Sequence, residues 1–323
     1  MPVTSVTKDP DALTMTVVAD FPAPVERLWQ AYADPRQLEK FWGPPACPAM
    51  FSRHDVVPAG RSAYAMTMPD GAVSRGYWEW LAVDPQRSFE VLDGFAHEDG
   101  TPNAEMPSMR MVFTFEPTGD GSRVTTTAHF NTAEELAQLL DMGMEDGMRE
   151  AMGQMDQVLD DLRTFAADRP ASAQILSDTQ VRVSRVIAGS VEVVWRAHHD
   201  KDLIQQWMLG PDGWTMPVCE VATHVGDTYR YEWANGEESF GFEGELLESA
   251  PPHRSVTSER MIGMPGEGVR NEMTLTPVSG GTLLSTVITY PNAQIRDMIL
   301  DTGMAEGMET SYQRLEAHVL TPV

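Results

Sequence analysis

The chain has 323 residues, 42% hydrophobic and 22% charged, a globular composition that excludes a disordered or collagen-like polymer. At ~150 residues per domain it has room for two domains, each large enough to bury a core without staples. Acidic residues outnumber basic ones 48 to 23, and the resulting charge of −25 is shared, −14 over residues 1–170 and −11 over 171–323. Such a surface repels phosphate backbones and anionic lipid, so neither nucleic acid nor a membrane is an expected partner.

Along the chain, Leu13–Ala19 reads as a first strand, and Pro24 opens a short helix over Val25–Ala33 that buries Leu28 and Trp29. Asp34-Pro35 restarts the chain into a second short helix ending at Phe41-Trp42, where Gly43-Pro44 stops it. Strands follow in series. Tyr64, Met66 and Met68 alternate with polar or small residues, as do Met109, Met111, Phe113 and Phe115, and Val124, Ala128 and Phe130 close the set. This period of two marks a sheet with one buried face. Thr132-Ala-Glu-Glu135 fits a capping box, and Leu136, Leu139, Leu140, Met144, Met148, Met152, Met155 and Leu159 step by threes and fours, which predicts one long closing helix.

The same order then repeats. Val25-Glu26…Trp29…Ala31 returns as Val191-Glu192…Trp195…Ala197, Gly43-Pro44 as Gly210-Pro211, and Thr114…Pro117 as Thr274…Pro277. Asp141-Met-Gly143-Met144…Gly147-Met148 returns as Asp301-Thr-Gly303-Met304…Gly307-Met308. Collinear matches mean duplication of one domain. Ser190 is placed to cap the repeated helix, Tyr229, Tyr231 and Trp233 share a strand face, and Ile295, Ile299, Met304, Met308, Tyr312 and Leu315 form the second helical stripe. The boundaries expected are a first domain over 1–165, a linker over 166–177 containing Pro170, and a second domain over 178–323. Each has the fold class α+β, an antiparallel sheet with helices on one face.

A helix carrying Trp29 or Trp195, a stop at Gly-Pro, and the Gly-Met…Gly-Met stretch of the closing helix resemble the START-like helix-grip (SRPBCC) superfamily. More narrowly they resemble homologues of the heat-shock-protein-90 ATPase activator. Val225-Gly226-Asp227-Thr-Tyr229-Arg230-Tyr231, Pro251-Pro252-His-Arg254 and Thr302-Gly303-Met304…Gly307-Met308 make the second copy the better match, while Ala59-Gly60-Arg61-Ser62 and Trp78-Glu79-Trp80 depart from the pattern. The resemblance implies a curved sheet wrapped around the long C-terminal helix beside two short ones, with a cavity between sheet and helix. Members of the superfamily bind lipids, sterols, polyketides or plant hormones there, and a minority catalyse cyclisation or dehydration.

Catalytic signatures are scarce. The three lysines, Lys8, Lys40 and Lys201, precede no Ser or Thr, so no Walker A loop exists, and HExxH and GxSxG are absent. His198-His199 reads as an exposed pair rather than a metal site, and neither Cys47 nor Cys219 has a base beside it in the pattern. The cysteines form no CxxC, the start lacks a signal-peptide pattern, and no apolar run matches a bilayer, so a cytoplasmic location is expected. No cofactor or metal is expected.

The expected function is therefore binding of a small hydrophobic or amphipathic molecule. A polyketide aromatase or cyclase, and a chaperone partner stimulating heat-shock-protein-90, are the alternatives the resemblance carries. The expected ligand-binding residues are Tyr229, Tyr231, Trp233, Phe242, Asn271, Met273, Met304, Met308 and Tyr312 in the second copy, and Tyr64, Met66, Met111, Phe113, Met144 and Met148 in the first. Asn271 stands out because it replaces Met111 on an apolar strand face, where a buried amide must find partners. The second copy is on that account the candidate active half. Glu79 is a candidate acid or base if it points inward, and sequence alone leaves its parity open. Gly143, Gly147, Gly303 and Gly307 read as interior to a helix, explained either by close approach of helix to sheet or by room left for a cavity. The oligomeric state is left open.

Overall fold

The computed structural model describes residues 2–161, 170–210, 212–264, 266–278 and 280–320. Residues 166–169 of the expected linker and Pro211 of the second Gly-Pro stop fall outside them. The chain divides into two compact units, Met1–Ala166 and Ala167–Val323.

The first unit runs β1 (Val3–Asp9), β2 (Thr14–Phe21), α1 (Val25–Ala33), α2 (Pro35–Leu38), β3 (Ala49–His54), β4 (Arg61–Thr67), β5 (Val73–Asp84), β6 (Ser88–Phe95), β7 (Ser108–Thr118), β8 (Gly121–Phe130), α3 (Ala133–Asp141) and α4 (Met144–Asp161). The second runs β9 (Ser172–Ile175), β10 (Gln180–Ile187), α5 (Val191–His199), α6 (Lys201–Trp207), β11 (Thr215–Glu220), β12 (Thr228–Asn235), β13 (Glu238–Ala250), β14 (Arg254–Met261), β15 (Val269–Val278), β16 (Gly281–Thr289), α7 (Ala293–Leu300) and α8 (Met304–Leu315), with a last π-helical turn over Glu316–Leu320. Each unit holds one antiparallel sheet of eight strands, in the orders β1-β2-β8-β7-β6-β5-β4-β3 and β9-β10-β16-β15-β14-β13-β12-β11. The two orders are identical strand for strand. Duplication and the α+β class are therefore facts of the structure.

Three expectations need correction. Ser172–Ile175, read as linker, pairs with β10 as the edge strand of the second sheet, just as Val3–Asp9 edges the first. Both segments are short and largely exposed, so they carry too little apolar alternation to be read as strands. The closing helix is broken in both copies. Gly143 and Gly303 sit at φ +87° and +76°, left-handed values that end α3 and α7 and restart the chain as α4 and α8. The apolar stripe continues across the break, which hid it. Close approach of helix to sheet is not what glycine serves here either: a Cβ built on Gly147 or Gly307 meets nothing within 4 Å.

A contrast follows that chemical denaturation can check. Gly147→Ala should stabilise the chain by about 0.5–1 kcal/mol through helix propensity. Gly143→Ala, where an added Cβ likewise meets nothing within 4 Å, should destabilise it by about 1 kcal/mol because L-residues resist that backbone conformation.

The helix starts follow the sequence reading. Thr132 accepts from the Glu135 N–H at 3.1 Å, and the Glu135 carboxylate reaches back to the Asn131 N–H at 3.0 Å, a capping box displaced by one residue on its return bond. Ser190 caps α5, at 3.5 Å from the Val193 nitrogen. Among the described residues no helix is long and apolar enough to cross a membrane.

Candidate functional site

The ladders align the two copies residue by residue. Opposite each other on β6 and β7 stand Phe89 and Phe113, Val91 and Met111, Asp93 and Met109. On β14 and β15 the corresponding rungs are Ser255 and Met273, Thr257 and Asn271, Glu259 and Val269. Trp80 pairs with Val91 beside a bulge, and Leu246 pairs with Thr257 beside the same bulge. Phe51 faces Tyr64 where Cys219 faces Tyr231.

In the first copy these positions make a solid aromatic core. Trp78, Trp80, Phe51, Phe89, Phe113 and Met111 are all at most 2% exposed, and Phe89 stacks on Phe113 at 4.4 Å. Tyr32 from α1 packs on Phe41, Phe89, Phe113 and Phe115. The buried apolar residues form one continuous cluster. Met111 and Phe113, expected to touch a ligand, are buried inside it at 2% and 0% exposure. Tyr64, Met66, Met144 and Met148 are half-buried around its edge.

The first sheet also encloses a carboxylate. Asp93 accepts from the Trp78 indole N–H at 2.7 Å and from the Tyr64 hydroxyl at 3.1 Å, both on Oδ1. Burial raises its pKa to about 7, against the opposing pull of those two hydrogen bonds. Glu79, weighed as an inward acid, points outward and pairs with Arg61 at 2.9 Å. The inward acid is Asp93. Its signal was in the sequence: Phe89, Val91, Asp93 and Phe95 alternate, and Asp93 is the acidic member of an apolar face.

The second copy is built on the same frame with different filling. Trp80, Phe89, Val91, Met111 and Phe113 give way to Leu246, Ser255, Thr257, Asn271 and Met273, and Phe51 gives way to Cys219. Trp78 corresponds to Gly244, where the Tyr229 ring lies across the backbone, 2.9 Å from a built Cβ. The buried apolar residues no longer join. Among the described residues they fall into separate clusters under α5 and α8, under α7, beside α6 and around Tyr229. Of the residues expected to meet a ligand, Tyr229, Trp233 and Tyr312 are buried at 6%, 6% and 4% exposure. Tyr231, Phe242, Asn271, Met273, Met304 and Met308 point inward yet keep solvent-accessible surface. Trp233 donates to the Met208 carbonyl at 2.7 Å and stacks on Phe240, so it is a wall held in place.

Inside this copy stands Glu259, the counterpart of Asp93. The Tyr229 hydroxyl lies 3.2 Å from its Oε2 and 2.9 Å from the Ser258 carbonyl. The Asn271 amide is its second hydrogen-bond partner. Burial dominates and raises the Glu259 pKa, against the opposing effect of those two bonds. Glu259 is half-buried rather than sealed. Asn271 Oδ1 is buried with no partner. Burial likewise raises Tyr229, Tyr231 and Tyr290, and all three feel the Glu259 charge.

His198-His199 is not an exposed pair. His198 replaces Tyr32 at the end of its helix, lies 4.8 Å from the Trp207 ring, and bonds the Val194 carbonyl at 2.8 Å through Nδ1. Its Nε2 is buried without a partner, and burial lowers its pKa to about 4, so the ring is neutral. His199 stacks on Trp195 at 3.8 Å. Burial raises the Cys219 thiol. Among the described residues no cluster of three or more His, Cys, Asp or Glu could hold a metal. A separate open groove of about 530 Å³ lies at the other end of β15, lined by Gly189, Ser190, Val191, Glu192, His253, Pro277, Gly280 and Gly281. It is far from the carboxylate and is not the candidate site.

Frame and site together define two tandem α+β domains that share one sheet topology and differ in how their interiors are packed. The family model for activator of Hsp90 ATPase homolog 1-like proteins matches residues 22–160 and again 188–319, so the chain belongs to that family in two copies. No curated protein matches the chain. Solved structures similar to it include a crystal structure from Mycobacterium smegmatis, at 51% identity over 49% of this chain and 97% of that one, with a TM-score of 0.46. A solution structure from Arthrobacter aurescens matches at 42% identity over 49% of this chain and 92% of that one, TM-score 0.48. A crystal structure from Rhodobacter sphaeroides matches at 29% identity over 46% of this chain and 97% of that one, TM-score 0.44.

Proposed function

We propose that the second copy binds one small amphipathic molecule between its sheet and its C-terminal helices, and that the first copy is a packed structural counterpart with no ligand. The observation that carries this reading is the set of paired replacements. Where one copy places Trp80, Phe89, Met111 and Phe51, the other places Leu246, Ser255, Asn271 and Cys219 on the same rungs, and Val91 gives way to the polar Thr257. These exchanges thin the core at the middle of the sheet, although Tyr229 and Phe242 stand where the first copy has Ser62 and Gly76, and an aromatic wall with a few inward polar atoms suits a guest of mixed character.

Refilling the hollow tests this. The double variant Ser255→Phe/Asn271→Met restores the first copy's residues in the second. It should abolish binding of the fluorescent apolar probe N-phenyl-1-naphthylamine to the full chain, with an unchanged or raised melting temperature. Undiminished probe binding by this variant would remove the second copy as the site.

Glu259 beside Tyr229 also favours a second reading, a cyclase-type enzyme, since a carboxyl group of raised pKa next to a phenol in an enclosed site is acid–base machinery. It requires turnover of a polyketide-like substrate that Glu259→Gln abolishes.

A further inference from the structure

We propose that the guest carries a protonated amine, and that Glu259 with the tyrosine rings around it is the amine's receptor. This deepens the binding reading of the second copy and rests on it. The argument begins with what Glu259 lacks. Among the described residues no Lys, Arg or His forms an ion pair with it, and the groups that hydrogen-bond it are the Tyr229 hydroxyl and the Asn271 amide. A carboxylate enclosed by protein without a cation is costly, and natural interiors pair or neutralise it. Elsewhere in this same unit the enclosed carboxylates do have cations: Arg185 lies 2.9 Å from Glu309, and Arg254 lies 3.0 Å from Glu272. Against those two, Glu259 is the exception among the described residues.

The surroundings fit an ammonium group. Tyr229, whose hydroxyl meets the carboxylate, and Tyr231 have ring centroids 5.1 Å apart, which puts two aromatic rings beside it. A cation over such faces is attracted by their quadrupoles, more so when desolvated. Asn271 Oδ1, buried and unpartnered, is a further acceptor awaiting an N–H donor. An anionic guest would meet Glu259 with like charge, and a neutral guest would leave it uncompensated. The net charge of −25 also draws cations towards the molecule and turns anions away.

The first copy supplies the internal control. Asp93 occupies the same rung, but the Trp78 indole and the Tyr64 hydroxyl both bond its Oδ1, and the fully buried Trp78 ring stands where the second copy has Gly244. A carboxylate on this strand is thus common to both copies, while openness to a cation belongs to the second alone.

Titration calorimetry on the full chain at pH 8 with three probes of one skeleton tests the inference: 4-phenylbutylamine, 4-phenylbutanol and 4-phenylbutyrate. The amine should bind about tenfold or more tightly than the alcohol, the scale of one charge-assisted hydrogen bond, and the acid should bind least. In Glu259→Gln, which keeps an acceptor for Tyr229, the amine's advantage should vanish while the alcohol binds as before, showing an intact hollow. Asp93→Asn should leave the amine's affinity unchanged. If the alcohol matches or exceeds the amine in the unaltered protein, or if Glu259→Gln keeps the preference, the amine inference fails and the pocket stands. If none of the three probes binds, the inference and the pocket reading fall together.

Discussion

Replacing Asp93 with Asn should make the chain more stable at pH 8 and leave it unchanged or slightly weaker at pH 4. The Asp93 carboxyl is buried at 7% exposure, and its pKa rises from the ordinary 3.8 to about 7. The folded state therefore holds this proton more tightly than the unfolded state does. Stability then falls as pH rises from about 3.8 through about 7, and the full penalty is present above that. A shift of that size corresponds to about 4 kcal/mol at pH 8. Asparagine is isosteric and keeps an oxygen for the Trp78 indole and the Tyr64 hydroxyl, but it buries an NH₂ that costs about 1–3 kcal/mol if unpaired. The net expectation is a gain of about 1–3 kcal/mol at pH 8 that disappears towards pH 4. Thermal unfolding at half-unit pH intervals gives the answer. A variant with the same pH slope as the parent would show that Asp93 titrates near its usual value.

The comparison of Asp93 with Glu259 also shows what could and could not be read from the chain itself. Duplication was legible because the Gly-Met…Gly-Met and Val-Glu…Trp…Ala stretches recur in order, and period-two alternation placed Tyr64, Tyr229, Met111 and Asn271 on inward faces. The class of fold follows from local pattern of this kind. The helix break at Gly143 and Gly303 was hidden because an apolar stripe with period 3.6 continues through a one-residue change of backbone. The inward direction of Asp93 and the outward one of Glu79 depend on cross-strand register. A shift of one residue reverses every side chain, and no single strand fixes it. Burial of His198 depends on Trp207 and Tyr312, which come from other helices. The contrast between a filled and an open interior needs the two ladders laid rung on rung. What the structure shows of it, one joined apolar cluster against several separate ones, appears only when Phe89–Phe113 is set against Ser255–Met273, because each of those strands alone is an ordinary alternating one.

The second copy adds a buried charge cluster to the apolar packing of its closing helix, and Arg185 is the joint. Its counterpart by ladder position is Ala19, opposite Val124 as Arg185 is opposite Leu284. The guanidinium, 6% exposed, lies 2.9 Å from Glu309 on α8 and 2.8 Å from Glu316 in the π-helical turn. Those carboxylates also accept from the Ala171 and Ala188 N–H groups at 2.6 and 2.8 Å. Burial alone would raise the Glu309 pKa, but Arg185, the Ala171 N–H and Gln313 outweigh it and hold it below 4.5. Its contribution is therefore present above pH 4.5 and lost as pH falls through the lowered value. Arg185→Met removes the cation and strands two partly buried carboxylates, which should cost about 3–5 kcal/mol at neutral pH. Hydrogen exchange should rise first over residues 304–320. The triple variant Arg185→Met/Glu309→Gln/Glu316→Gln should recover much of the loss, since it removes the stranded charges and keeps acceptors for the two backbone N–H groups. Equal destabilisation by the single and triple variants would mean that packing of the arginine stem, rather than its charge, secures α8. On the proposed binding reading α8 closes the site, so that same loosening should weaken probe binding by the single variant and spare it in the triple.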